Sequence, residues 1–220
     1  MTETSEPNAF HAYSAPVQSS KATVDSRSLR NRSMNMKVAL LTAMVCSIAS
    51  VNATVTTKKY KVSGSTTDEL IASLDTNGPG GGWGRMTPKW SPGWTYAGTD
   101  GAVKIGTVNP GVTKLIEMPT WRGYTGASKC MKESWDDMYA NLLFHENEHV
   151  KIADRYTAKM VSELKAIPPQ NDTDAVDAAA NTKLTKLYTD HQAAQDKFDS
   201  DTDRGRNAGD KSIVLAECPA

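Results

Sequence analysis

The longest repeating pattern of the chain lies in its C-terminal half. Between Ser134 and Ile167, apolar residues and two histidines recur every three or four positions, the spacing of one face of an α-helix. The charged residues Glu148, Lys151 and Arg155 fall largely on the other side. The stripe consists of Trp135, Met138, Leu142, His145, His149, Ala153, Tyr156 and Met160. We therefore predict a long helix whose histidines face inward.

A second amphipathic helix follows after a short break. The stretch PPQND interrupts the first helical pattern, and Asp172 or Thr173 can cap the next helix. The apolar stripe of this second helix consists of Val176, Ala180, Leu184, Leu187, His191 and Ala194. Because the loop between the two helices is short, we expect them to pair as an antiparallel hairpin.

The N-terminal half shows the alternation and the turn signals of strands. The segment TVTTKKYKVSG, which begins at Thr54, predicts a strand, and the segment TTDELIASLDTNG after it predicts a short helix. Two further strand-like runs, AVKIGTV and TKLIEM, flank the turn signal NPG. These elements predict a small antiparallel sheet accompanied by one short helix.

The region between the short helix and the later strands is rich in glycine and tryptophan. We expect it to form long loops that carry Trp83, Trp90 and Trp94, with packing in the core favoured over a peptide or glycan groove. Taken together, the patterns predict an α+β fold: a small antiparallel sheet with a short helix, followed by a long helical hairpin that bears the two histidines.

The beginning of the chain carries an export pattern. An apolar run from Val38 to about Val51 follows Lys37 and ends near Ala53, where small residues resemble a signal-peptidase site. The run is shorter than the about 20 residues that span a bilayer, so no permanent membrane span is expected. We predict a disordered lead plus signal peptide over residues 1–53, with Met1, Met34 or Met36 as the start, and one domain over residues 54–220 that is periplasmic or secreted.

Composition adds charge and cysteine information. The 220-residue chain has a formal net charge of zero, so nothing recommends a nucleic-acid partner. Removal of the signal peptide would leave Cys130 and Cys218. In an exported protein this pair is expected to form one disulfide, with two free thiols as the alternative.

The segment His145-Glu-Asn-Glu-His149 carries the candidate chemistry. The two histidines stand one helical turn apart, so both imidazoles can bind one metal ion. Glu146 is adjacent and can act as the general base on a water bound to that ion. The pattern favours Zn²⁺ and a peptidase reaction over a buried histidine pair held by carboxylates.

The chain resembles a bacterial family of predicted secreted zinc-dependent proteases known as domain of unknown function 922. The resemblance runs from about Tyr60 to Gly209 and rests on YKVSGSTTDELIASL, TPKWSPGWTY, MPTW and HENEH. It implies a secreted or periplasmic zinc peptidase acting on an unidentified peptide or protein substrate. It also implies a C-terminal segment of the form Tyr-Asp-x-x-Thr-x-His-Gly, whose histidine is the natural third metal ligand.

The third ligand is less clearly indicated than the first two. Arg204 stands where the family pattern has histidine, and a guanidinium has no lone pair to offer a metal. A hairpin turning near Pro169 would place His149 opposite His191, which makes His191 the preferred third ligand. Asp199 and Asp203 remain the alternatives. A catalytically impaired family member that acts as an envelope binding module is the alternative function.

Overall fold

The structure, a computed structural model, describes residues 54–219. The strands are β1 (Thr54–Val62), β2 (Arg85–Trp90), β3 (Gly93–Thr99), β4 (Ala102–Asn109) and β5 (Val112–Trp121). The α-helices are α1 (Thr67–Asn77), α2 (Lys129–Lys165) and α3 (Thr173–Asp201). Short 3₁₀ helices lie at Pro79–Gly81, Tyr124–Gly126 and Gly209–Lys211. The expected lead, signal peptide, start sites and cleavage near Ala53 lie outside the described residues.

The strands form two small sheets, and the α+β class is confirmed. One sheet has the order β1-β5-β2, and β3 pairs with β4 in the other. β2 and β5 are antiparallel, as are β3 and β4, whereas β1 runs parallel to β5 with Thr54 opposite Thr113 and Val62 opposite Trp121. The parallel pair was not predicted. It arises because α1, β2 and the β3–β4 hairpin intervene between β1 and β5 and return the chain in the same direction.

The prediction that the tryptophan-rich region forms long loops was wrong, because β2 and β3 lie there. β2 is an edge strand of the β1-β5-β2 sheet, which tolerates the missing N–H of Pro88. Trp94 is buried, its indole N–H donating to Asp177, while Trp83 donates to Asp75. All three tryptophans pack against the core clusters, as favoured from the sequence.

Local capping explains where the helices begin. Thr66 accepts a hydrogen bond from the backbone N–H of Glu69 at the start of α1. Ser128 accepts one from Met131 at the start of α2, and Asp172, one of the two expected caps, accepts one from Ala175 at the start of α3. Each of these oxygens satisfies a backbone donor that has no partner within its helix.

The tip of the α2–α3 hairpin is fastened to β4. Gln170 and Val103 exchange backbone hydrogen bonds of 2.7 and 2.8 Å, and Gly101 donates to the carbonyl of Asn171. The segment between α2 and α3 therefore pairs with β4 and does not form a tight turn.

Two hydrophobic clusters lie at opposite ends of α2. One joins α1 and the β1-β5-β2 sheet to the first half of α2, and its fully buried members include Leu70, Leu74, Ile116, Met118 and Met138. The other joins β3 and β4 to the second half of α2 and to α3, with Met160, Leu164, Val176, Ala180 and Leu187. His145 and His149 lie on α2 between Leu142 and Ala153, two buried members of the first cluster.

The C-terminal segment returns along α2. Asn141 donates to the carbonyl of Ser212, and the Ser134 hydroxyl exchanges hydrogen bonds with the backbone of Ala216. The predicted disulfide between Cys130 and Cys218 is present. Within residues 54–219, no helix has both the length and the apolar character needed to cross a membrane.

Candidate metal centre

His145 and His149 converge from consecutive turns of α2. Their side chains are buried, and the two Nε2 atoms lie 3.1 Å apart. The rings meet edge to face with centroids 4.8 Å apart. The two side chains are neighbours because residues four positions apart lie on the same face of a helix, as predicted from the sequence.

Asp199 of α3 completes a group of three potential ligands. Its Oδ1 atom lies 3.1 Å from His145 Nε2 and 3.0 Å from His149 Nε2. Four atoms arranged as a tetrahedron around zinc at about 2.0–2.1 Å lie about 3.3 Å from one another. The three distances of 3.0–3.1 Å are close to that spacing, so the residues fit a divalent metal ion of this size.

Charge and burial act against each other at these side chains. Burial alone would raise the pKa of Asp199, but its contacts with His145 and His149 outweigh burial, and the pKa lies well below its usual range. Burial would lower the pKa of His149, but hydrogen bonds with Asp199 and Gln195, together with the charges of Asp199 and Glu146, raise it. The site thus holds an ionised carboxylate and stabilises positive charge beside it.

Glu146 lies next to the two histidines and is only 3 % exposed. Burial raises the pKa of its carboxyl group, against the opposing influence of the histidines and of a hydrogen bond from the backbone of Met86. Its Oε2 atom is buried without a hydrogen-bond partner among the described residues. An acceptor of this kind is costly to leave unpaired, and it is available to a water molecule or a substrate proton.

Glycine at position 84 provides the room that Glu146 occupies. A Cβ atom there would lie 2.8 Å from Glu146 Oε1 and 2.8 Å from Leu142 Cδ1, closer than side-chain carbons approach in proteins. Gly84 directly precedes β2, so the start of this strand passes against the carboxylate. The backbone of the sheet edge thereby forms one wall of the site.

Phe198 and Gly205 form another part of the surroundings. The Phe198 ring stacks on His145 with centroids 4.8 Å apart and meets His149 edge to face at 5.0 Å. Gly205 has φ of +82°, and a Cβ atom there would lie 2.3 Å from Ile213 Cδ1 and 3.1 Å from His145 Nδ1. Both positions therefore restrict the orientation of the His145 ring.

His191, the third ligand preferred from the sequence, lies outside the group of three. Its Nε2 atom is 2.8 Å from the Gln195 side-chain nitrogen, and the group of potential ligands contains Asp199 in its place. His149 faces Gln195 and not His191 because α3 is displaced along α2 by about one helical turn from a hairpin centred near Pro169.

The rival carboxylate Asp203 also lies elsewhere. Asp203 and Arg204 have φ of +47° and +52°, in the left-handed region that side chains other than glycine rarely adopt. Both side chains are exposed, and Asp203 lies 3.9 Å from Arg206. Of the two carboxylates considered with His191, only Asp199 joins the histidines.

Gln195 is a site residue that sequence reasoning missed. It is buried, and its Oε1 atom lies 2.5 Å from His149 Nδ1. A signal was present, because His191, Gln195 and Asp199 stand four residues apart and place three polar side chains on the face of α3 that is otherwise apolar. Gly84 gave no comparable signal, because its role depends on where β2 crosses α2.

The chain matches a known protein family. Residues 57–205 match the model of the family described as "Bacterial protein of unknown function (DUF922)". No curated protein and no solved structure matches the chain. The match runs from within β1 to just beyond α3 and includes every member of the candidate metal centre. The chain belongs to this bacterial family.

Proposed function

We propose that this protein is a zinc-dependent peptidase that hydrolyses peptide bonds. The observation that carries the proposal is the convergence of His145 Nε2, His149 Nε2 and Asp199 Oδ1 beside the unpaired carboxylate of Glu146. A His-Glu-x-x-His segment on a helix is typical of metalloproteases, which is why peptide bonds are the proposed substrate.

His145, His149 and Asp199 are the residues that would hold the metal. Two imidazole nitrogens and one carboxylate oxygen match the donor set of catalytic zinc sites, which keep a further position for water or substrate. Zinc supplies a polarised water molecule and a Lewis acid for the carbonyl oxygen of the scissile bond. Because the Asp199 side chain is 38 % exposed, solvent reaches the ligand group from the α3 side.

Glu146 is the proposed general base. Its unpaired Oε2 atom can accept a proton from water, and its carboxyl group can then pass that proton to the amine of the departing product. Burial raises the pKa of the Glu146 carboxyl group toward neutral pH. A group with such a pKa can both take up and release a proton. The hydrogen bond from Met86 and the space left by Gly84 hold the carboxylate in one orientation.

Metal binding without catalysis is the second candidate function. It is supported by Arg204, an exposed side chain at the position where the family pattern implied by the resemblance has histidine. In this case the protein acts as a binding module of the cell envelope. The packed tryptophans argue against Trp83, Trp90 and Trp94 as the binding surface, because the indole N–H groups of Trp83 and Trp94 already donate within the protein.

Export to the periplasm or the medium is part of the proposal. The disulfide between Cys130 and Cys218 supports it, because such bonds persist in oxidising compartments and are rare in the cytosol. The same compartments contain the exposed peptide and protein substrates that an envelope peptidase would meet.

The test measures metal content and turnover on one preparation of residues 54–220. We expect one zinc per chain by elemental analysis, hydrolysis of denatured casein, loss of hydrolysis on chelation and its return on addition of zinc. Metal without hydrolysis would favour the non-catalytic candidate, and a different tightly bound metal, such as iron, would replace zinc in the assignment. Absence of any bound metal would overturn the proposal. Glu133→Gln, an exposed change on the same helix, is the control for handling and folding.

A further inference from the structure

The orientation of the Gln195 side chain follows from its neighbours. Its amide nitrogen lies 3.2 Å from the backbone carbonyl oxygen of His149, and its Oε1 atom lies 2.5 Å from His149 Nδ1. A backbone carbonyl can only accept a hydrogen bond, so the amide group facing it must be the NH₂. The amide oxygen therefore faces the imidazole.

This orientation determines which nitrogen of His149 carries the proton. The Gln195 oxygen is an acceptor, so it favours a neutral His149 that carries its hydrogen on Nδ1 and donates it over 2.5 Å, a shorter contact than the 3.0 Å between His149 Nε2 and Asp199. The other tautomer would bring two lone pairs to within 2.5 Å of each other. With the hydrogen on Nδ1, the lone pair of His149 Nε2 is directed toward His145 and Asp199.

His191 keeps the Gln195 amide from turning over. Its Nε2 atom lies 2.8 Å from the Gln195 nitrogen and accepts the second N–H of that amide. The His191 ring is 5 % exposed and is held edge-on by Trp90 and Tyr156, each with centroids 5.4 Å away. Burial, with a smaller contribution from His149, lowers the pKa of His191 to about 4, so the ring is neutral and able to accept near pH 7.

We propose that Gln195, held in orientation by His191, selects the tautomer of His149 that presents Nε2 to the metal, and that both residues are positioning residues of the site. The inference rests on the metal site of the proposed function but concerns the protein before metal binds. Outer partners of this kind fix ligand tautomers in metal sites and contribute about 10–100-fold to metal affinity.

The first test reads the tautomer directly in metal-free protein. Long-range ¹H–¹⁵N correlation spectra of histidine-labelled protein, followed to the alkaline plateau where the rings are neutral, report which nitrogen of His149 is protonated. We expect the Nδ1–H form in the wild type and loss of that preference in Gln195→Leu. Gln195→Glu keeps an acceptor opposite Nδ1 and should restore it. Gln192→Leu makes the same substitution at an exposed position of α3 and should leave the spectrum of His149 unchanged.

The second test measures affinity for cobalt(II), whose absorption reports binding without any need for catalysis. We expect Gln195→Leu to weaken binding by about 10–100-fold. His191→Phe keeps a ring of similar shape but removes the acceptor, and its effect should be smaller, on the order of 3–10-fold. The His191→Phe variant also provides the test if the Gln195→Leu protein does not fold.

Two results would overturn the inference: an Nε2–H tautomer of neutral His149 in the wild type, or unchanged tautomer and cobalt affinity in folded Gln195→Leu and His191→Phe. Failure of the wild type to bind metal is a separate outcome. It would remove the proposed function, while the tautomer measurement would still decide whether Gln195 and His191 set the protonation of His149.

Discussion

The Oδ1 atom of Asp199 lies 3.0 Å from His149 Nε2, although the two residues are separated by 50 positions in the chain. The contact links the two helices of the hairpin. It also turns a pair of histidines on one helix into a group of three potential ligands.

Replacement of Glu146 by Gln should abolish hydrolysis and leave metal binding intact. The amide has nearly the same shape but cannot carry the proton, and general-base groups typically contribute about 10²–10⁴-fold to the rate. Casein turnover and zinc content of the same sample check this outcome. Full activity in a folded Glu146→Gln protein would contradict the assigned role.

Asp199→Ala should reduce zinc affinity by about 100-fold or more, exceeding the effect expected for an outer partner. The variant removes one of the three converging atoms and leaves both imidazoles in place. Competition with a zinc chelator of known affinity provides the measurement. Asp203→Ala, an exposed change in the turn after α3, is the matched control. If His191→Ala reduced affinity more than Asp199→Ala, the original preference for His191 as a ligand would be restored.

Gly84→Ala should impair hydrolysis more than metal binding. The added methyl group would collide with Glu146 Oε1 and Leu142 and move the carboxylate, and displacement by about 1 Å can cost on the order of 100-fold in rate. Turnover and zinc stoichiometry separate the two effects. Gly93→Ala places a methyl group in open space and should behave as wild type. Equal activity of the two variants would show that Gly84 does not position Glu146.

Metal-free protein should lose stability between pH 6.5 and about 4 because of His191. Its folded pKa is about 4 and its ordinary value is 6.5, so within this window the unfolded chain binds a proton that the folded chain does not. The free energy of unfolding should therefore fall as the pH falls, by up to about 3 kcal/mol from this group. Urea unfolding at several pH values gives the measurement.

The matched variant for this pH dependence is His191→Phe, which removes the titrating group. His149, whose charge helps to lower the pKa of His191, and Asp196, which opposes it, remain in both proteins. The raised pKa of His149 has the opposite sign and makes the folded state less stable as the pH rises, so the difference between wild type and variant isolates His191. Parallel curves would show that His191 does not titrate on unfolding.

Breaking the disulfide should destabilise the domain by up to about 4 kcal/mol, because it closes a long loop, with a sequence separation of 88. It ties the C-terminal segment, including Ile213 against Gly205, to the start of α2. Urea unfolding of Cys130→Ser and Cys218→Ser, with intact mass before and after reduction, checks both the bond and its effect. Two free thiols in protein taken from an oxidising compartment would contradict the pairing.

Features that depend on local periodicity were predictable from the sequence. Spacing along one helix fixes which side chains are neighbours within a turn, so it predicts the two helical stripes and the approach of His145 to His149. The candidate general base, Glu146, is adjacent to the pair for the same reason. The cap at Asp172 follows from its residue type, because its side chain can accept a hydrogen bond from a free backbone N–H. The pairing of Cys130 with Cys218 needed no geometry, because the expected loss of a signal peptide containing Cys46 would leave these two cysteines.

Features that depend on register between distant segments were decided by the tertiary structure. α3 is displaced by about one turn from a symmetrical hairpin, so Asp199 reaches the histidines while His191 packs behind Gln195. The parallel pairing of β1 with β5 likewise depends on the path of everything between them. Side chains one turn apart on a stripe look equivalent in sequence, and only the packing of one helix against another determines which of them reaches the ligand group.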